Sequence, residues 1–147
     1  MTLQRHLLML VFATLVCSSC RRNESASVLL VQVLRDPHSQ FAATLRQQTD
    51  QFTASKPHVA GKNVLIATNE GGPSFAAELP HLLAKTKPEI LILNSESDLP
   101  NDAGLRDELG KSELVCGRKL AYIPSWVGGP KREAAEMYIR FLKQHCS

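Results

Sequence analysis

The chain has 147 residues, 44% of them hydrophobic, and its 17 basic and 14 acidic residues give it a net charge of +3. This length suits a single domain once any export signal is removed. The basic residues are scattered rather than arranged in a stripe with interleaved aromatic residues, so the composition argues against nucleic-acid binding.

The first residues predict an export signal and a lipid anchor. A short basic start is followed by an apolar run, Leu7 to Val16, which is too short to cross a bilayer core of about 30 Å. Two serines then precede Cys20, an order that resembles the bacterial lipoprotein signal, in which the cleaved chain begins at a diacylated cysteine. We expect residues 1–19 to be a signal peptide, residues 20–26 a lipidated tether and residues 27–147 the domain. The protein would be exported and anchored to a membrane, facing the periplasm or the cell surface.

Cys17 and Cys20 also form a C-x-x-C pair, which in redox proteins lies at the start of a helix that follows a strand. Here the pair directly follows the apolar run, and no strand of a βαβ unit precedes it. Cys17 stands where lipoprotein signals usually carry Leu, Val or Ile. The position favours signal processing over redox chemistry, with an uncleaved anchor as the remaining alternative.

Three apolar runs, at residues 28–34, 62–68 and 89–94, predict strands that are separated by two helical patterns. Asp36 is typical of an N-cap, and Pro37 is typical of the first turn of the helix that would follow it. Pro80 lies inside the second pattern and either kinks that helix or marks its first turn. Two successive strand–helix–strand units predict an α/β fold, a single small domain with a mainly parallel sheet of three to five strands flanked by helices.

The pattern changes after Asn94. A short helix that ends at Gly110 is expected first. Residues 113–116 and 119–123 then predict a hairpin, and residues 131–144 predict the clearest helix of the chain.

Cys116 and Cys146 are the two cysteines that remain if Cys20 carries lipid. An oxidising compartment favours a disulfide between them, and Cys146 falls on the apolar stripe of the last helix. Closing a loop of about 30 residues is worth roughly 3–4 kcal/mol in the chain-entropy treatment. The alternative is two buried thiols that do not meet.

The candidate ligand site lies at the carboxyl ends of the strands, where open parallel sheets bind ligands. This rule selects Arg35 and Asp36, residues 69–74 and residues 94–97. Trp126 would reach the same edge only if the strand before it ran parallel to the others. The predicted ligand-binding residues are Asp36, Asn69, Glu70, Ser74, Asn94, Ser95 and Trp126. The alternatives are an N-cap role for Asp36, a turn with a capping serine for residues 69–74, and packing for Trp126.

The sequence predicts no catalytic residue, no metal site and no cofactor. The loop at residues 69–74 has neither P-loop nor dinucleotide-binding spacing, and no nucleophile elbow is present. The histidines are scattered without the spacing of metal ligands.

Residues 121–142, AYIPSWVGGPKREAAEMYIRFL, resemble a stretch of the bacterial extracellular solute-binding lipoproteins of ABC importers. In that family a strand end with a P-x-W-like pattern precedes a helix that carries E-A-A and a terminal F-L. The resemblance implies one lobe of a solute-binding protein. Its partners would be the membrane, reached through the lipid anchor, and either a small polar solute or an envelope protein. An envelope enzyme that uses the strand-end loops and a structural lipoprotein that docks a partner domain are the alternatives.

Overall fold

The structure, a computed structural model, describes residues 27–37 and 40–146. In this part of the chain, one six-stranded sheet carries helices on both faces. The strands are β1 (Val28–Arg35), β2 (His58–Val59), β3 (Lys62–Glu70), β4 (Ile90–Leu93), β5 (Glu113–Val115) and β6 (Lys119–Tyr122). The helices are α1 (Gln40–Ala54), α2 (Phe75–Thr86), α3 (Ala103–Leu109) and α4 (Gly129–His145), and a 3₁₀ turn spans Glu96–Asp98. The predicted signal peptide and Cys20 lie outside the described residues.

The sheet is mixed, with strand order β2-β3-β1-β4-β6-β5. Strand β1 is parallel to β3 and to β4, whereas the other three neighbouring pairs are antiparallel. The α/β class and the single small domain are confirmed, but the prediction of a mainly parallel sheet with three to five strands was wrong. The predicted hairpin is present, and its short turn after Val115 can join only antiparallel neighbours. Strand β6 therefore inserts between β4 and β5 with reversed direction.

Strand β2 was not predicted because it is only two residues long. It pairs with the start of β3 across Ala60 and Gly61, whose φ angles of 50° and 74° are both left-handed. Two left-handed residues in a two-residue loop match the twist of a hairpin, and this pair protects the outer edge of β3.

Two hydrophobic cores form, one on each face of the sheet. On one face, α1 and α4 cover the alternating residues Leu29, Val31 and Val33 of β1. On the other face, α2 and α3 cover Leu34 together with residues of β4. The apolar stripe predicted for the last helix is confirmed, since Ala135, Tyr138, Ile139, Leu142 and Cys146 are all buried.

The predicted disulfide is present. Cys116 and Cys146 are bonded with their Cα atoms 4.6 Å apart. The bond ties the β5–β6 turn to the end of α4, so the last helix is fixed to the antiparallel side of the sheet.

Three local expectations can be compared with the structure. The described part of α1 begins at Gln40, and the N-cap role of Asp36 stays a prediction because residues 38 and 39 lie outside the described residues. The backbone N–H of Asp36 donates to the Ile92 carbonyl at 3.1 Å. Strand β3 continues through Glu70, so the first two residues of the predicted loop, Asn69 and Glu70, belong to the strand. Helix α2 begins at Phe75, so Pro80 lies inside it rather than in its first turn.

Candidate functional site

The carboxyl end of the sheet gathers polar side chains from neighbouring strands. The register places Glu70 beside Arg35, and Arg35 beside Ile92. At the end of β4, Asn94 accepts a hydrogen bond from Lys119, the first residue of β6. The ends of β3, β1 and β4 therefore form one polar row, as the topology rule requires.

Arg35 is the most unusual residue of this row. It is only 3% exposed, and its guanidinium contacts the Glu70 carboxylate through Nη2. Among the described residues, Nε and Nη1 of Arg35 have no hydrogen-bond partner. A buried donor without a partner costs about 1–3 kcal/mol, and more when the group is charged. These two nitrogens can therefore bind an acceptor that the described residues do not supply.

A small cavity adjoins Arg35 between α1 and the ends of β1 and β3. Its volume is ≈ 120 Å³, and we name it the strand-end cavity. It is lined by Arg35, Ala42, Leu45, Arg46, Thr49, Asp50, Thr68 and Glu70. A water molecule occupies about 30 Å³ of liquid, so this space holds a group of a few non-hydrogen atoms rather than a drug-sized ligand.

The electrostatics around Arg35 are unfavourable for its charge. Burial lowers its pKa below the ordinary value, the nearby charge of Arg46 lowers it further, and the interaction with Tyr138 raises it. The Glu70 carboxylate is 46% exposed, so solvent screens this ion pair from one side. Arg35 therefore gains less from its ion pair with Glu70 than a fully buried pair would give.

Thr49 connects the wall of the cavity to α4. Its hydroxyl donates to the Leu45 carbonyl at 2.7 Å and lies 2.7 Å from the Tyr138 hydroxyl. Because a threonine hydroxyl has one proton, Tyr138 must be the donor of the second bond. Burial raises the pKa of Tyr138 to about 12, against smaller opposing effects of Thr49 and Arg35. The tyrosine is thus a neutral support for this side of the cavity.

The predicted residues of the row have unequal roles. Glu70 lines the strand-end cavity, whereas Asn69 is exposed on β3. Asn94 is engaged by Lys119. Ser95 caps the 3₁₀ turn, in a capping box with Asp98. Asp36 is buried at the end of β1.

The loop before α2 is shaped by its own packing. A Cβ atom on Gly71 would lie 1.8 Å from the ring of Phe75, whereas one on Gly72 would have nothing within 4 Å. The close approach that the glycines permit is therefore made at Gly71 by a core side chain. Ser74 precedes α2 without a capping hydrogen bond from its side chain, so the capping alternative was wrong.

Trp126 follows β6, which is antiparallel to β4. It therefore lies at the end of the sheet opposite to the carboxyl ends of β1, β3 and β4. Its indole N–H donates to the Pro88 carbonyl, just before β4, at 3.1 Å. Lys87 lies over its ring, 4.6 Å from the centroid. The tryptophan therefore borders a different cavity from Glu70, and the structure does not bring the two together.

A larger cavity of ≈ 520 Å³ lies between α4, β6 and the segment that follows α3. Some of its charged groups have partners: Lys143 pairs with Glu113 at 2.7 Å, and Arg132 donates to the carbonyls of Val127 and Pro124. Other charged side chains that line it are exposed to solvent: Asp107, Glu108, Lys111 and Arg140. Size alone would favour this cavity. The unpaired donors of Arg35 favour the smaller one, because they leave an interaction for a ligand to complete.

The alternation of residues along β1 indicates which face of the sheet Arg35 lies on, and the strand-end rule did not use this pattern. Residues of one parity along β1 face the core covered by α1 and α4, and Arg35 continues the series of Val31 and Val33. The contributions of Thr49 and Lys119 depend on tertiary contacts and have no comparable signal.

Comparison with known proteins finds no matching family model, no matching curated protein and no matching solved structure. In the described part of the chain, no helix is both long and apolar enough to cross a membrane. The same residues contain no group of three or more His, Cys, Asp or Glu side chains that could hold a metal ion.

Proposed function

We propose that this protein is an exported, lipid-anchored envelope protein that binds a small polar solute without catalysis, in the manner of one lobe of a solute-binding lipoprotein. The observation that carries the proposal is the buried Arg35, which lines the strand-end cavity and has two guanidinium nitrogens without a partner among the described residues. Unpaired buried donors destabilise the free protein and are stabilised by a bound acceptor. The cavity lies at the carboxyl ends of the parallel strands, which is where open α/β sheets bind ligands.

Native mass spectrometry of the purified full chain, with co-purified small molecules retained, tests solute binding. We expect a bound small molecule that is released on unfolding. The matched variant is Arg35→Gln, with Arg118→Gln as a control for the loss of one positive charge at an exposed position. Equal ligand occupancy in both variants would contradict a site at Arg35, and the absence of any bound or added solute would contradict the function.

The anchor is tested separately. Cys20→Ala should release the protein from the membrane fraction or leave an uncleaved precursor, since the thiol is the expected site of acylation. Cys17→Ala is the matched control and should process normally. A Cys20→Ala variant that fractionates and migrates like the wild type would contradict the lipoprotein assignment.

Docking of another envelope protein is a second candidate function, favoured by an exposed apolar surface. Val28, Leu30 and Leu65 are 49%, 42% and 38% exposed. Leu30 and Leu65 are register partners on β1 and β3, so the three side chains share one face of the sheet. Leu30→Ser should abolish partner cross-linking in the envelope without changing solute occupancy, and an unchanged cross-linking pattern would contradict this function.

A further inference from the structure

We infer that the solute bound in the strand-end cavity carries a carboxylate, which Arg35 binds through its free guanidinium N–H groups. This inference rests on the proposed solute-binding function and names the chemical class of the ligand.

Arg35 supplies the recognition. Its Nε carries one N–H and its Nη1 carries two, and none of these has an acceptor among the described residues. Glu70 contacts the guanidinium only through Nη2. Guanidinium groups bind carboxylates and phosphates through such N–H groups, and the charged hydrogen bonds are about twice as strong as neutral ones. A neutral acceptor would accept these hydrogen bonds but would not compensate the buried positive charge.

Arg46 adds a second positive charge to the cavity wall. Arg35 and Arg46 line the same cavity, and the charge of Arg46 lowers the pKa of Arg35 through repulsion. An anion between them would relieve that repulsion and the burial of Arg35 together.

The acidic residues of the cavity favour a carboxylate over a phosphate. Asp50 and Glu70 also line the space of ≈ 120 Å³. A phosphate group that is largely dianionic at neutral pH meets more repulsion from these two side chains than a singly charged carboxylate. The cavity accommodates the carboxylate of a small organic acid, or that end of a longer solute which extends into solvent.

Acetate is the probe that tests this inference on the full chain, with acetamide and inorganic phosphate as matched probes at constant ionic strength. We expect acetate to shift the NMR resonance of the Arg35 Nε–H in a saturable manner and to raise Tm by about 3–8 °C at ten times its Kd. Acetamide and phosphate should do neither.

The variants distinguish a ligand contact from a structural role. Arg35→Gln should weaken acetate binding at least about tenfold. Arg46→Gln, at an exposed position with little effect on folding, should weaken it by a smaller factor of about two to five, since the charge interacts across solvent. Arg118→Gln, at an exposed position, should leave the Kd unchanged.

The outcomes separate the two proposals. Equal affinity for acetate and acetamide, preference for phosphate, or the absence of acetate binding while another solute occupies the site overturns the carboxylate inference and leaves solute binding intact. An unchanged acetate Kd in Arg46→Gln together with an unmoved Arg35 Nε–H resonance overturns the inference even if Arg35→Gln fails to fold. If no solute of any class binds, the proposed function itself is wrong.

Discussion

The hydroxyl oxygens of Thr49 and Tyr138 lie 2.7 Å apart and join α1 directly to α4 beside the strand-end cavity. Tyr138 is fully buried, and its ring packs edge-on against Phe52 with centroids 5.2 Å apart. The first and last helices of the described chain are thus connected by a polar contact inside an apolar core. The wall of the candidate site depends on that contact.

Tyr138→Phe should lower the free energy of unfolding by about 0.5–1.5 kcal/mol at neutral pH, because one buried hydrogen bond is lost while the ring packing remains. Urea unfolding measures this change. Thr49→Val should give a similar loss, and the double variant should lose less than the sum of the two. Strict additivity of the two losses would contradict a direct interaction.

The same tyrosine predicts an alkaline loss of stability. Its pKa is about 10 in the unfolded chain and about 12 in the fold, so only the unfolded state releases the proton between these values. The contribution of Tyr138 is therefore complete below pH 10 and is lost as the pH rises toward 12, by about 2–3 kcal/mol in all. Urea midpoints measured from pH 9 to 11.5 should fall more steeply for the wild type than for Tyr138→Phe. Parallel curves would contradict the prediction.

The disulfide between Cys116 and Cys146 closes a sequence separation of 30 residues. Replacing both cysteines with alanine should lower the free energy of unfolding by about 3–4 kcal/mol, chiefly through the larger entropy of the unfolded chain. Urea unfolding with and without a reducing agent provides the measurement. The variant should be insensitive to the reducing agent, and a wild-type midpoint that is equally insensitive would show that the bond does not stabilise the protein.

The sequence predicted the elements whose signals are local. The apolar runs of β1, β3 and β4, the stop at Gly110 and the stripe of α4 depend on side-chain periodicity, and the structure agrees with them. The direction of β6 depends on a hairpin turn and on sheet order, and short two-residue strands such as β2 have no periodicity to detect. Sequence patterns therefore identify a strand more readily than they identify the strands that pair with it in the sheet.

The sequence predicted a candidate site at the carboxyl ends of the strands, but it did not predict the chemistry of that site. Glu70 lies at that edge because it ends β3, as the topology rule expects. The lack of described partners for Nε and Nη1 of Arg35 could not be predicted, since it depends on which groups α1 and β3 place beside them. Trp126 could not be assigned to an edge before the direction of β6 was known.

Gly71 and Gly72 form a matched pair for testing the loop before α2. Gly71→Ala should destabilise the protein by about 1–3 kcal/mol, because its Cβ would lie 1.8 Å from the buried ring of Phe75. Gly72→Ala should change stability by at most about 0.5 kcal/mol, since nothing lies within 4 Å of the added atom. Thermal unfolding of both variants measures the difference. Equal losses would show that the ring moves without cost.

Ser74→Ala should leave stability within about 0.5 kcal/mol of the wild type, because the Ser74 side chain makes no capping hydrogen bond at the start of α2. Asp102→Ala is the matched variant, since its side chain accepts a hydrogen bond from the Leu105 backbone N–H at 3.1 Å and caps α3. We expect that substitution to cost about 1 kcal/mol. Denaturant unfolding of the two variants in parallel measures both changes. A loss for Ser74→Ala as large as that for Asp102→Ala would mean that Ser74 caps its helix in solution and is not available to a ligand.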